Sequence, residues 1–540
     1  VELGLFSKKK ENQPQQPPSS VQSSSQQKPV FSLEGDKPPA QLPDFTDVSK
    51  VDVRYPLLAP YALVHIYWDA PSHELVYEVE EPQLSSEEKE MLSTLEDGIR
   101  ELINISFVNI KDETIIISYL EKNLQVLLSE FHLRIKKETF LKFMYYMYRD
   151  FVGLNEIEPL MHDYYIEDIE CNGSQTPLYI IHRKYQNLRT NIVFPSNQPL
   201  ASFVEKLAQK TGKYVSYATP LLDGRLPDGS RVNAVYSSDV SSRGPTFTIR
   251  KFSREPWTPI KLVDFRTVSP EILAYLWILI ENGTNIMVVG GTGSGKTSFL
   301  NAIAFFIPPA ARIVSIEDTK ELQLEHENWL PSIAREGIGL ASSTGQKRGE
   351  VTLFDLLRES FRQRPDYVIV GEIRGKEAFV LIQGASSGHP SFATMHAESV
   401  ESMVRRLMTE PINLSPALVE SIDAVCVLVH AKVGGKDVRR IRDISEIIKV
   451  YPDGQVKTNV PFVRDPRSDK FYFRTGSYVF QKVVTQQGIN LQELNLEFSR
   501  RAKLLFKLYE QKIFGFSEVQ QVIHQYYKSS KEVLSRFGIS

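Results

Sequence analysis

The chain has 540 residues, 42% of them apolar and 24% charged, and a formal net charge of −3. That length exceeds what one hydrophobic core ordinarily supports, so two or three domains are expected, and the near-neutral balance gives no global electrostatic case for binding nucleic acid. The two cysteines, Cys171 and Cys426, are too few for a disulfide scaffold or a cysteine-based zinc module and fit a reducing cytoplasm.

Residues 1–44 are rich in Gln, Ser, Pro and Lys and carry almost no apolar periodicity. Such a segment cannot bury enough surface to offset the entropy of ordering, and it reads as a disordered polar tail. Its first residues, Val1, Leu3, Leu5 and Phe6 ahead of Lys8-Lys9-Lys10, lack the apolar core of a signal peptide and read as a frayed end. Residues 45–251 are expected to form an N-terminal α+β domain, divisible into two subdomains. It opens with strand-like Tyr61 to Trp68 and continues with helical patterns over Ser85 to Ile105 and Ile115 to Tyr148. Its second half places strands near Leu178 to His182 and Thr246 to Lys251 around a helix from Leu200 to Thr211.

Two prolines, Pro256 and Pro259, resist both helix and central strand and mark 252–262 as a hinge linker. Residues 263–450 then alternate β and α: helix Pro270 to Glu281, strand Ile286 to Val289, strand Ala311 to Ile316, helix Leu353 to Arg362, strand Tyr367 to Val370, helix Lys376 to Ser387, strand Ser391 to Thr394 and helix Ser399 to Thr409. This alternation predicts a parallel sheet covered on both faces. Turn and strand character over Tyr451 to Val483 and amphipathic helix over Leu491 to Phe537 make 451–540 a mostly helical C-terminal extension. The longest apolar window, Ile272 to Ile280, stops at Glu281, far short of the ~18 residues needed to cross a bilayer.

The most specific motif is Gly290-Gly291-Thr292-Gly293-Ser294-Gly295-Lys296-Thr297, a complete GxxxxGKT loop entered from an apolar strand and left through helix-like Ser298 to Ala304. Glycines permit the turns that aim consecutive N–H groups at phosphates, and the positive end of the next helix assists. Lys296 is then expected to reach the β- and γ-phosphates and Thr297 to hold Mg²⁺, which makes ATP and Mg²⁺ the implied ligands.

Phosphoryl transfer is chiefly positioning and charge stabilisation, so groups are needed to orient water and complete the metal shell. Strand Ile313 to Ile316 ends in Glu317-Asp318, and strand Tyr367 to Val370 runs through Gly371 into Glu372. The second such strand of a P-loop enzyme usually ends in Asp. Gly371 here displaces the carboxylate outward by one residue, so the acidic work is expected to be shared between Glu317 and Glu372, both also candidate Mg²⁺ ligands. A third strand end carries His396, placed where an imidazole could donate to a γ-phosphate.

Taken in order, GGTGSGKTSFLNAI, SIEDTKELQL, RQRPDYVIVGEIRG and SFATMHAES resemble the secretion ATPase superfamily that serves type II secretion, type IV pili and conjugation. The resemblance covers roughly residues 150–450. It implies a RecA-like P-loop motor domain preceded by a smaller α+β domain, with Lys296 and Thr297 in the Walker A loop, Glu317 and Asp318 in the aspartate box, Glu372 in an atypical Walker B and His396 in the histidine box. The segments HENWLP at 326–331, FIPP at 306–309, EPLM at 158–161 and IEDI at 166–169 look like the archaeal branch, whose best-known member is the archaellum assembly and rotation ATPase. The four-cysteine zinc element of many bacterial type II members is absent. The family further implies homo-hexamers in which arginines of one N-terminal domain reach a neighbour's nucleotide, with Arg231, Arg243 and Arg250 as the candidates. It implies a cytoplasmic enzyme in peripheral contact with the membrane, working on a polytopic platform protein, with no nucleic acid partner expected.

Overall fold

The computed structural model describes residues 30–33, 42–43, 47–102, 113–252, 256–335, 337, 347–434 and 436–539. These form two compact units, 1–251 and 252–540.

The first unit is built on nine strands: β1 (Asp52–Leu58), β2 (Ala62–Asp69), β3 (Glu74–Glu80), β4 (Ile166–Cys171), β5 (Pro177–His182), β6 (Gln186–Val193), β7 (Leu221–Arg225), β8 (Arg231–Val235) and β9 (Thr246–Arg250). Their order is β1-β2-β3-β6-β5-β4-β9-β8-β7, antiparallel throughout except at β3–β6. One core lies where the sheet meets helix Asn197–Lys210, whose Leu200, Phe203, Val204 and Leu207 repeat at helical spacing and are all buried. A second core belongs to helices Ser86–Leu102, Glu113–Glu130 and Lys137–Met147. The helical pattern expected to run unbroken from Ile115 to Tyr148 is cut after Glu130, where His132 takes φ +57° and the chain turns back.

The reading of residues 1–44 as a disordered tail falls mostly outside the described residues, and it is corrected at one point. Phe31 is fully buried in the helical core, its ring 5.0 Å from that of Tyr61, and the Val30 amide donates to Glu121 Oε2 at 2.9 Å. A single aromatic anchor outweighs the average polarity around it, which composition alone does not register.

The second unit carries β10 (Ile286–Gly290), β11 (Ile313–Glu317), β12 (Trp329–Ile333), β13 (Tyr367–Val370), β14 (Ser391–Met395), β15 (Ala424–Val433), β16 (Lys436–Val450), β17 (Val456–Asp465) and β18 (Lys470–Phe473). The sheet order is β12-β11-β13-β14-β10-β15-β16-β17-β18. The pairs from β12 to β15 are parallel, as the alternation predicts, but β16, β17 and β18 add on antiparallel. The expected parallel sheet is thus present, and an antiparallel extension joins it along one side. Hairpins need no crossover helix, so no β–α alternation announces them.

Strand alternation feeds two cores on opposite faces. Ile286, Val288, Ile313 and Ile369 enter one, and Met287, Val289, Val314 and Val370 the other. The first face holds helix Pro270–Glu281, buried at every residue from Ile272 to Ile280 because helix Leu491–Glu510 and its C-terminal neighbours cover the side the sheet does not. The long apolar window is thus a central core helix, and no helix among the described residues is long and apolar enough to cross a membrane.

Two boundaries differ from expectation. Pro259 opens helix Pro259–Asp264, with Thr258 as N-cap, rather than resisting helix, because the first helical turn needs no N–H from that residue. Ile260 and Leu262 are buried in the second unit's core, so the C-terminal part of the expected 252–262 linker is fixed structure, while 253–255 lie outside the described residues. Further on, Tyr478–Gln487 is a helix where strand character was expected. Buried Glu446 holds its first turn, accepting from the Tyr478 amide at 2.7 Å and from Tyr275 Oη at 2.6 Å.

Candidate nucleotide site

The site assembles at the C-terminal ends of β10, β11, β13 and β14, four neighbours of the parallel half of the sheet. Loop 290–295 joins β10 to helix Lys296–Ala304. Two of its glycines are required by conformation, Gly293 at φ +69° and Gly295 at φ +88°. Gly290 is required by space, since a Cβ there would stand 2.5 Å from both Leu428 O and Ser294 Oγ. Lys296 is the first helical residue, and Thr297 and Ser298 follow it, half-buried.

Lys296 is buried, and its Nζ donates to Gly291 O at 3.0 Å and lies 3.2 Å from His396 Nδ1. Burial pulls its pKa down, against the charge of Glu372 and Glu321. An ammonium has no lone pair to offer, so Nδ1 of His396 must accept and the ring proton must sit on Nε2. Nε2 in turn lies 3.0 Å from Glu372 Oε1, and Arg374 donates to Glu372 Oε2 at 2.6 Å. The result is a cluster rather than a continuous hydrogen-bonded chain: Lys296 stands on His396, Arg374 holds Glu372, and the His396 ring lies at ion-pair distance from Glu372 Oε1, which has no hydrogen-bond partner among the described residues. Burial pushes the Glu372 pKa up, yet Arg374, His396 and Lys296 together bring it below the usual carboxylate range, so it is ionised at neutral pH. Burial, with the Lys296 charge behind it, lowers the His396 pKa and keeps the ring neutral.

Glu317 sits differently. It is buried, and its Oε1 accepts the backbone amides of Glu321 and Leu322, each at 2.9 Å. In this arrangement it holds the loop after β11. Gly371 packs beside it, where a Cβ would stand 3.1 Å from Glu317 Cγ. That gives the unusual glycine before Glu372 a physical reason: a side chain there would press on Glu317. Thr394 Oγ1 donates to the Gly371 carbonyl at 2.7 Å and fixes this crossing from β14.

Three arginines that sequence reasoning missed brace the site's backbone. Arg439 donates to Gly293 O at 2.9 Å, Arg442 to Glu398 O at 3.0 Å and Arg406 to His396 O at 2.8 Å. The signal for Arg439 and Arg442 is the run Arg439-Arg440-Ile441-Arg442, which resembles an ordinary basic surface, as does Arg405-Arg406. Arg374 and Glu321 were also unassigned.

The arginines singled out in sequence lie in the first unit. The β-ladders place Asp168, Arg250, Arg231 and Arg225 opposite one another in a row across β4, β9, β8 and β7. Arg231 forms a two-point pair with Asp223 at 3.1 and 2.7 Å, and Arg250 pairs with Asp168 at 3.1 Å. Arg243 stands outside the row, exposed in the loop before β9, with its carbonyl tucked against Gly173.

For Mg²⁺ the donors offered by Thr297 and Glu372 are oxygens, and the carboxylate is charged, as that ion requires. Among the described residues no cluster of three or more His, Cys, Asp or Glu could hold a metal unaided.

A glycine loop with a buried lysine at the start of a helix, facing an ionised carboxylate across the ends of parallel strands, defines a P-loop nucleotide-binding protein. A family model described as "Type II/IV secretion system protein" matches residues 152–433. The chain is 38% identical over 408 residues to the uncharacterised protein MJ0900 of Methanocaldococcus jannaschii, covering 74% of this chain and 72% of that one. It is 32% identical over 256 residues to the type IV secretion system protein PtlH of Bordetella pertussis, covering 42% and 74% of the two chains. Among solved structures, the pilus retraction motor PilT with bound ADP is similar at 17% identity and a TM-score of 0.37, covering 69% of this chain and 95% of that one, a likeness that carries no further argument. The chain belongs to the type II/IV secretion ATPase superfamily and is an ATPase of that class.

Proposed function

We propose that this ATPase is a motor, hexameric when active, that powers assembly of an archaeal type IV pilus-like filament, the archaellum. The observation that carries the motor reading is the cluster of Lys296, His396, Glu372 and Arg374 at the strand ends. ATP supplies the phosphoryl group. Lys296 and the loop amides of 291–298 hold its phosphates, Thr297 and Glu372 hold Mg²⁺, and Glu372 orients water, with Glu317 keeping the adjoining loop in place. When Lys296 turns to the phosphates it leaves Nδ1 of His396, so the imidazole is the group that registers whether nucleotide is bound.

Arg231 and Arg250 are proposed to act on the nucleotide of a neighbouring subunit. Support comes from their adjacency in the sheet and from exposed carboxylate pairings, which exchange partners at little cost. Arg243 is the third candidate. The segment before Thr258 is the proposed hinge. The archaellum assignment rests on the archaeal-like segments at 158–169, 306–309 and 326–331 and on the similarity to the Methanocaldococcus protein. The proposed setting is the inner face of the membrane, beside a polytopic platform protein.

A second reading, transport of DNA, has support from 32% identity over 235 residues to the conjugal transfer protein TrbB of Rhizobium radiobacter. Steady-state ATP hydrolysis with light scattering, for the wild type and Lys296→Ala, tests the motor. Lysine-dependent turnover that rises with hexameric mass is expected, and a monomer without such turnover would sink the reading. Stimulation by single-stranded DNA would favour DNA transport.

A further inference from the structure

Strand β16 reaches the phosphate loop from the antiparallel side of the sheet, the side that no β–α alternation announces. Arg439 Nε donates to the Gly293 carbonyl at 2.9 Å, a contact that spans 146 residues of sequence. Its Cδ passes 3.4 Å from where a Cβ on Gly295 would stand, so the aliphatic stem also lies along the loop. From the same strand Arg442 donates to Glu398 O at 3.0 Å, two residues past His396, and to Asp443 Oδ2 at 2.6 Å. The ladder pairs Val427 with Asp443 and Leu428 with Ile441, which leaves Arg442 as the extra residue of a bulge. Bulges beside active sites re-aim side chains in this way.

The Arg439 contact falls on the peptide with the most freedom. Gly293, at φ +69°, has no Cβ to resist rotation of the bond to Ser294. A trans peptide carries its C=O and N–H on opposite sides. Anchoring the Gly293 oxygen to Arg439 therefore turns the Ser294 N–H the other way, and it is found over Gly291 O at 3.4 Å, the same carbonyl that Lys296 Nζ reaches.

We propose that Arg439 is a positioning residue for the phosphate loop: its bond to the Gly293 carbonyl locks the 293–294 peptide and keeps the Ser294 amide over the Gly291 carbonyl, on the side of the loop where Lys296 Nζ lies. Arg442 holds the segment behind His396 from the same strand, so β16 sets the spacing between the two sides of the site. This rests on the nucleotide-site reading above and extends it to the antiparallel half of the sheet.

The test is the affinity of the full chain for a fluorescent ADP analogue with Mg²⁺. Arg439→Met keeps the stem along Gly295 and removes the donor, whereas Arg439→Lys restores a donor on a stem of similar length. Loss of one charge-assisted hydrogen bond predicts about tenfold weaker binding for Arg439→Met, with Arg439→Lys within about threefold of wild type. Thermal melting reports whether each variant is folded, and Arg439→Ala is a second donorless variant should Arg439→Met not fold. Donorless variants that bind as tightly as wild type would overturn the proposal. So would Arg439→Lys binding as weakly as Arg439→Met, since the guanidinium itself would then be what matters. A wild-type chain that binds no nucleotide would instead defeat the underlying site reading, and Lys296→Ala, expected to lose binding, separates the two failures.

Discussion

The two units deploy charge in opposite ways. In the second unit, Lys296 is buried and Glu372 and His396 are half-buried at the ends of parallel strands, and each has its pKa moved by burial and by neighbouring charges. In the first unit, Arg231 and Arg250 lie on an open sheet face with side chains 47% and 70% exposed, each beside a carboxylate. Burial makes a charge group costly to disturb and fixes its geometry; exposure leaves ion pairs worth about 0–1 kcal/mol, which a better anion displaces. One unit is suited to hold a nucleotide and the other to offer cations to whatever anion it meets.

The sharpest way to break this contrast is Arg231→Ala combined with Arg250→Ala. If they act on a neighbour's nucleotide, steady-state turnover falls by about 10³ or more, while stability changes by about 1 kcal/mol or less in denaturant melts. Unchanged turnover would reduce the arginine row to surface pairing. Next comes Glu372→Gln, expected to lower turnover about 10²–10³-fold while ADP affinity, read by equilibrium titration, moves little. Parallel loss of affinity and turnover would mean the carboxylate shapes the pocket rather than the reaction.

A smaller effect is expected for Gly371→Ala. The added methyl must displace Glu317, 3.1 Å away, at a cost of about 1–3 kcal/mol by chemical denaturation, with a fall in turnover as the β11 and β13 ends separate. Equal stability to wild type would show that the crossing has slack.

The first unit also contains a buried titratable group as a counter-example to its exposed arginines. His182 is fully buried, with Nδ1 accepting the amides of Lys184 and Tyr185 at 3.1 Å each. Burial pushes its pKa from the ordinary 6.5 down to about 4. The unfolded chain therefore binds a proton that the folded chain refuses, and this contribution to stability is present above pH 6.5 and is lost as pH falls toward 4. A His182→Asn variant should flatten the slope of melting temperature over that window, modestly. An unaltered slope would place the acid sensitivity elsewhere.

Part of the parallel half was legible because β10, β11, β13 and β14 are short apolar runs, two of them reaching a glycine and β11 ending in an acid, whereas β12 and β15 gave no such signal. The strand ahead of the phosphate loop, the core helix Pro270–Glu281 and the placement of Glu317, Glu372 and His396 at strand ends all come from such local signals. The short strands β7 and β8 were missed, since five residues with polar alternates give little periodicity. Long β16 was missed for another reason. Its Arg-rich stretch over 439–442 resembles a solvated surface, and only its partners reveal Arg440 as buried against Asp469 and Arg439 as turned to the loop.

By itself the sequence determined that a phosphate-binding loop stands between an apolar strand and a helix, because glycine freedom, a lysine and a hydroxyl at fixed spacing are local properties of the chain. It also determined the alternation that makes the central sheet parallel. Tertiary structure alone decided which charges meet: that Lys296 and Glu372 both stand beside the His396 ring, that Gly371 admits Glu317, and that an arginine from the antiparallel hairpin grips the loop. The reason is physical. Hydrogen bonds between groups about 100 residues apart depend on strand order and register, and these follow from how the whole sheet buries its two faces.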